Sequence, residues 1–298
     1  MSSSVPAQPT RTRGPEGAGS GTQPSAPAGG NVGGAGSTGA EHPDGLPVPR
    51  RYWAVVGIIL AIAMSVLDST IVNVALPSVA RDFRVSNAAS IWVINSYQVA
   101  ILIALLPLAS LGELVGYRRV CQWGLAVFTI ASLGCALAPS LTTLSIARVV
   151  QGLGAAGVMS VSPALVRYTY PHHMLGRAVG INAFCVAVTG AIGPTVASAI
   201  LAVAHWRWLF AVNVPIGIIT IAIALYAFPE SDRTPRALNA GSVALQAATF
   251  ALLIGGLQSF AHAAVTVLAV MEIAGGCLLG ILLVRHEINL AAPLLPFD

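Results

Sequence analysis

Two ionisable side chains sit where burial rules disfavour them. Asp68 lies inside LAIAMSVLDSTIVNVALP (60–77) and Arg148 inside ARVVQGLGAAGVMSVSPAL (147–165), runs otherwise nearly free of charge. Within hydrocarbon an ionised group faces a bundle interior or a water-filled cavity, and it commonly marks an ion or substrate path. A carboxylate there can exchange its charge for a proton or hold a cation. A guanidinium at this depth wants a carboxylate or carbonyl opposite it, and Asp68 is one candidate partner for Arg148. Asn73 follows Asp68 in the same run, and Gln151 stands three residues after Arg148, on the same helix face. Asn95, Tyr97 and Gln98 interrupt IWVINSYQVAILIALLPLA (91–109). The pathway candidates are therefore Asp68, Asn73, Asn95, Gln98, Arg148 and Gln151. Plainer readings stand beside these: a polar helix-packing cluster for Asp68, a structural arginine for Arg148, and for Tyr97 a hydroxyl bonded at depth. Glu272, in VLAVMEIAGGCLLG, is a further carboxylate in an apolar run.

No catalytic set accompanies them. The sequence has no HExxH, no GxSxG with plausible partners and no lysine for a phosphate-binding loop. His172 and His173 fall in a loop between arginines and read as solvated. Cys121, Cys135, Cys185 and Cys277 lie far apart in apolar stretches without a CxxC pair, as small buried hydrophobes do. The expectation is a protein that is not an enzyme and needs no cofactor and no metal.

The elements that must position these residues are membrane helices. The chain is 55% hydrophobic and 9% charged, against roughly 25% charged in soluble domains, and its mean hydropathy is +0.78. Apolar runs recur from Tyr52 onward, each near the ~20 residues that cross ~30 Å of hydrocarbon as a helix. An open strand edge in lipid would leave backbone groups unpaired, so helices are required. Spans are predicted at 52–76, 89–112, 119–138, 141–166, 176–203, 208–228, 240–260 and 263–284, eight in all. Residues 1–49, rich in Gly, Pro and Ser, cannot bury enough apolar surface to order themselves, and they contain no signal-peptide core. They read as a disordered tail.

All fifteen basic residues are arginine. With the N-terminus inside, Arg50, Arg51, Arg118, Arg119, Arg167, Arg177, Arg233, Arg236 and Arg285 fall at inner segments, and Arg81, Arg84 and Arg207 at outer ones. That asymmetry puts the tail in the cytoplasm. The net charge of +4 then reflects arginines at the membrane face, with no nucleic-acid partner implied. Small residues mark close helix packing: Gly152 and Ala156 are spaced as a small-xxx-small pair, and Gly190, Gly193 and Pro194 give the fifth span an unbulky, bendable flank.

Together these motifs resemble the major facilitator superfamily, in its fourteen-helix drug/proton antiporter branch. LDSTIVNVALP (67–77) is similar to that branch's first-helix signature. GELVGYRR (112–119) resembles a shortened inner-loop motif, with Gly112, Arg118 and Arg119, and with Gly116 near the place of its usual aspartate. ARVVQGLGAAG (147–157) resembles the fourth-helix motif, whose arginine the family links to proton coupling and Arg148 matches. GAIGPTVAS (190–198) resembles the antiporter motif of the fifth helix, with Ala197 and Ser198 where two glycines are usual. WRWLFAVNVPIG (206–217) looks like the entry to the sixth.

The resemblance implies an all-α membrane protein: a six-helix bundle over 50–228, an inserted helix pair over 229–288, and a linker over 289–298 to a second half that the chain lacks. It implies proton-coupled export of small hydrophobic or cationic molecules across the plasma (inner) membrane. The partners implied are substrate, protons, the lipid bilayer and a second transporter half. Asp68 would take up a proton or a cation, Arg148 would tune it, and the bendable fifth span would meet the other bundle. The alternatives are an inactive or regulatory membrane fragment and, more remotely, a membrane-embedded enzyme.

Overall fold

The computed structural model describes residues 45–231, 240–261 and 266–288, and every regular element among them is helical. In chain order these are α1 (Arg50–Phe83), the short α2 (Asn87–Ser90), α3 (Trp92–Val115), α4 (Tyr117–Leu137), α5 (Leu141–Thr169), one 3-10 turn (His172–Met174) that takes in the two histidines read as loop, α6 (Leu175–Val203), the short α7 (Trp208–Ala211), α8 (Asn213–Ala227), α9 (Ala240–Ala261) and α10 (Thr266–Ile288). Among the described residues, seven helical segments are long and apolar enough to cross a membrane. The seventh expected span, 240–260, falls on α9, whose described apolar stretch, Ala244–Leu257, is shorter. The expectations for residues 1–44 and 289–298, and for Arg233 and Arg236 within 232–239, lie outside the described residues.

Local chemistry sets the helix ends. Ser140 caps α5, its side chain accepting from Thr143 N, and Ser86 does the same for α2 from Ala89 N. Such a cap satisfies one of the amide donors that a helix start leaves unpaired. α3 and α4 meet at Gly116, whose φ of 101° is left-handed backbone that a Cβ would strain. The chain turns there without an intervening loop. Pro77, Pro107, Pro163 and Pro194 lie within α1, α3, α5 and α6.

α5 is the pivot of the packing. It touches α3 and α4 most extensively and also reaches α1. Its glycines allow this on two sides. A Cβ on Gly152 would lie 2.6 Å from Tyr97 O on α3, and one on Gly154 would lie 2.8 Å from Gly124 O on α4. Without side chains the backbones approach closely, the main route to helix association in lipid. α1 packs against α6 and α8, and α8 also against α4. There Gly217 leaves the space that Thr129 fills. α9 and α10 pair with each other, Gly256 receiving Ile273 and Gly276 receiving Leu253. The buried hydrophobic core falls into two clusters, one around Phe128, Leu165 and Phe228 and the other around Ile71, Leu144 and Trp206.

Candidate functional site

Five helices converge on one carboxylate. Asp68 of α1 is fully buried, and three side-chain donors surround it. Its Oδ2 accepts from Arg148 Nη1 of α5. Its Oδ1 accepts from Gln151 Nε2 at 3.0 Å and from Asn213 Nδ2 of α8 at 2.8 Å. Taking two charges out of water is repaid only when geometry is good and the remaining polar atoms are satisfied. The carboxylate meets that condition through its three donors.

Arg148 is equally buried and holds more than the ion pair. Its Nε donates to Val93 O of α3 at 3.1 Å, and its Nη1 also donates to Gln151 Oε1 at 2.7 Å. Its guanidinium carbon lies 3.9 Å over the Tyr97 ring and 5.7 Å from the Phe210 ring, within the range where a ring face attracts a cation. Tyr97 spans the site, its hydroxyl donating to Ser65 O at 3.1 Å. Gln151 continues the network into α4. Its Nε2 donates to Ser132 Oγ at 2.8 Å and its Oε1 accepts from Cys135 Sγ at 3.4 Å.

The structure thus joins Asp68, Arg148 and Gln151 and leaves other pathway candidates outside. Asn73 is exposed and its amide donates back to Ser69 O at 3.3 Å. Gln98 is exposed and Asn95 half-buried on α3. The carboxylate itself is enclosed by protein and does not open onto a cavity. Asn213, Ser132 and Cys135 belong to the cluster, although none was a site candidate from the sequence.

The other named residues take structural places. Gly193 lies against Thr70 and Leu67 of α1, and a Cβ built on Gly190 would lie 4.0 Å from Val66, while Pro194 is exposed. A Cβ on Gly112 would meet the Tyr117 ring at 2.7 Å. At the end of the bundle near Gly116, Arg118 pairs with Glu230 at 3.4 Å and donates to Leu225 O, and Tyr117 N donates to Ser231 Oγ at 3.0 Å. Arg119 is exposed. The turn between α3 and α4 is thereby tied to the end of α8. At the opposite end Asp82 accepts from Trp206 Nε1 at 3.1 Å, with His205 and Arg207 at 3.7 and 3.8 Å. Glu272 accepts from Ser259 Oγ at 2.9 Å across the α9–α10 pair. Among the described residues no cluster of His, Cys, Asp and Glu has metal-site geometry.

Comparison with known proteins agrees with this architecture. Residues 58–284 match the sequence profile of the Major Facilitator Superfamily. The transporter YebQ of Escherichia coli (strain K12) is 47% identical over 258 residues, covering 86% of this chain and 56% of YebQ. The multidrug efflux pump LfrA of Mycolicibacterium smegmatis is 30% identical over 256 residues, covering 85% and 51%. Among solved structures, a bacterial homologue of the human lysosomal transporter Spinster, inward-facing and unoccupied, superposes with a TM-score of 0.52. It is 18% identical, with 79% of this chain and 61% of that chain covered. The chain spans about half the length of the curated relatives it matches.

Proposed function

We propose, from the premise that this chain belongs to the Major Facilitator Superfamily, that it is the N-terminal bundle of a proton-coupled exporter of small hydrophobic or cationic molecules. It is a multi-pass membrane protein. In the proposed orientation it lies in the plasma (inner) membrane with its N-terminus in the cytoplasm. The relative LfrA is named as a multidrug efflux pump, which supports export as the direction and drug-like molecules as the cargo.

One observation carries the proton-coupled reading: Arg148 has partners to spare. When Asp68 takes a proton, the ion pair is lost and a buried guanidinium would ordinarily be left uncompensated at high cost. Here Val93 O, Gln151 Oε1 and the faces of Tyr97 and Phe210 still hold it. A site built only to lock two helices would not need those reserves. Asp68 is the proton carrier in this reading, Arg148 its counter-charge, and Gln151 the link that registers the change on α4. In this fold a substrate binds near the midplane between two bundles that rock about it. The groups on the open faces, Asn73, Asn95 and Gln98, then line the substrate side, and α6 with Gly190, Gly193 and Pro194 meets the second bundle.

The test is reconstitution in proteoliposomes with an imposed proton gradient and a fluorescent hydrophobic cation. The chain alone is expected to leave the cation where it is. The chain together with a second transporter half moves it against its gradient, and Asp68→Asn abolishes that movement. Cation movement that ignores the proton gradient would sink the coupling. The rival reading, a membrane fragment with no transport of its own, draws on the half-length coverage of its relatives and is upheld if no second half restores movement.

A further inference from the structure

The three groups that reach the Asp68 carboxylate, Arg148 Nη1, Gln151 Nε2 and Asn213 Nδ2, are all donors. That arrangement suits a charged carboxylate, which only accepts. A protonated carboxyl also carries an O–H that must be accepted somewhere, and the nest as it stands offers it nothing. Gln151 Oε1 is engaged by Arg148 and Cys135. Ser132 Oγ accepts from Gln151 and donates to Phe128 O. One acceptor is unused: Asn213 Oδ1, fully buried and without a hydrogen-bond partner. It sits on the same amide as the nitrogen that now donates to Asp68.

We propose that Asn213 is a proton-reading swivel, presenting its N–H to charged Asp68 and turning its amide to present Oδ1 to the protonated acid. The proposal rests on the proton-coupled reading above. The terminal torsion of an asparagine is broad and roughly two-fold. The turn exchanges an unpaired acceptor for an unpaired donor, so it has little preference of its own and follows the proton on Asp68. Asn213 opens α8, and four residues on, Gly217 seats that helix against Thr129 of α4. Asn213 is thus a positioning residue that reports the charge of α1 to α8.

The ionisable groups packed around the carboxylate are Arg148 of α5, Tyr97 of α3 and Cys135 of α4. α6 contacts α1 at Gly193, and its own ionisable groups, Arg177 and Cys185, lie about two turns or more away along that helix. Asp82, which His205 and Arg207 face, lies fourteen residues further along α1, about four turns from Asp68.

Infrared difference titration of the purified chain in lipid nanodiscs tests the swivel. In the unaltered protein a protonated-carboxyl stretch, absent from Asp68→Asn, is expected to appear as pH falls. A side-chain amide band, moved by isotope-labelled asparagine and lost in Asn213→Leu, is expected to titrate with the same midpoint. In Asn213→Leu the carboxyl stretch rises to the frequency of an acid lacking an acceptor. In Asn213→Ser, whose hydroxyl both donates and accepts, it stays at the bonded position. An Asp68 carboxyl band with no accompanying amide band in the unaltered protein overturns the swivel and leaves the proton-coupled reading standing. Absence of any Asp68-dependent carboxyl band overturns both.

Discussion

The guanidinium of Arg148 lies 3.9 Å over the ring of Tyr97, and the same tyrosine reaches past it to bond Ser65 O at 3.1 Å. One side chain of α3 therefore props a cation of α5 and fastens itself to α1. The two functions separate by substitution. Tyr97→Phe keeps the ring face and loses the hydroxyl bond, and is expected to cost about 1 kcal/mol. Tyr97→Leu removes the ring face as well and adds about 0.5–2 kcal/mol for the desolvated cation. Thermal unfolding in detergent should rank unaltered protein, Phe and Leu in that order. Equal melting of the Phe and Leu variants would show that the ring face is idle.

The Asp68–Arg148 pair predicts strong non-additivity. Arg148→Met leaves the Asp68 carboxylate without its counter-charge and should destabilise by about 3–5 kcal/mol, whereas Asp68→Leu leaves a guanidinium that Val93 O and Gln151 Oε1 still hold and should cost less. The double variant leaves neither charge, and it should unfold later than either single one. This also means that Asp68→Asn lowers stability while it removes the titrating group, so transport by that variant must be read per folded molecule. Denaturant unfolding of all four proteins in detergent supplies the cycle. Additive losses would contradict the enclosure of the pair.

Gly154 and Gly134 make a matched test of helix approach. A Cβ on Gly154 would sit 2.8 Å from Gly124 O, whereas one on Gly134 meets nothing nearer than Ala147 Cβ at 3.8 Å. Gly154→Ala should separate α4 from α5 and destabilise by about 1–3 kcal/mol, as overpacking does. Gly134→Ala should be neutral or slightly stabilising, because alanine is the better helix former. A tolerated Gly154→Ala would mean that the backbones are not in contact there.

Topology is testable with reporter fusions after Arg84 and after Arg236. An inside N-terminus and six crossings before the second site put the first fusion outside and the second inside. An outside signal at Arg236 would refute the orientation.

Much of the fold could be read in the chain because a membrane span announces itself by length and apolarity. The fifth predicted span, 176–203, coincides closely with Leu175–Val203. Asp68, Arg148 and Gln151 stood out for the same reason, as charge and amide within oil, and the three-residue spacing of the last two gave their shared face. Azimuth was harder. Asn73 is five residues from Asp68, about 140° around a helix of 3.6 residues per turn, which turns it out of the cluster that its neighbour joins. Asn213 is less legible, because it comes soon after the polar-aromatic WRW segment, where an amide suits a membrane interface as readily as a buried cluster. Ser132 gave no signal, since a helix serine bonding its own backbone, as it does to Phe128 O at 2.8 Å, is commonplace.

The corner where Trp206 donates to Asp82 gives this protein a built-in optical probe. The chain has five tryptophans. Trp53, Trp92, Trp123 and Trp208 are each more than half exposed on the helix surfaces, and Trp206 alone is sealed, wedged between Phe83 and Phe210. Brominated lipid and aqueous iodide can between them silence the four surface indoles, and the emission that survives belongs to Trp206. Its intensity then follows one joint, the meeting of α1 with the chain entering α7, without any label having to be attached.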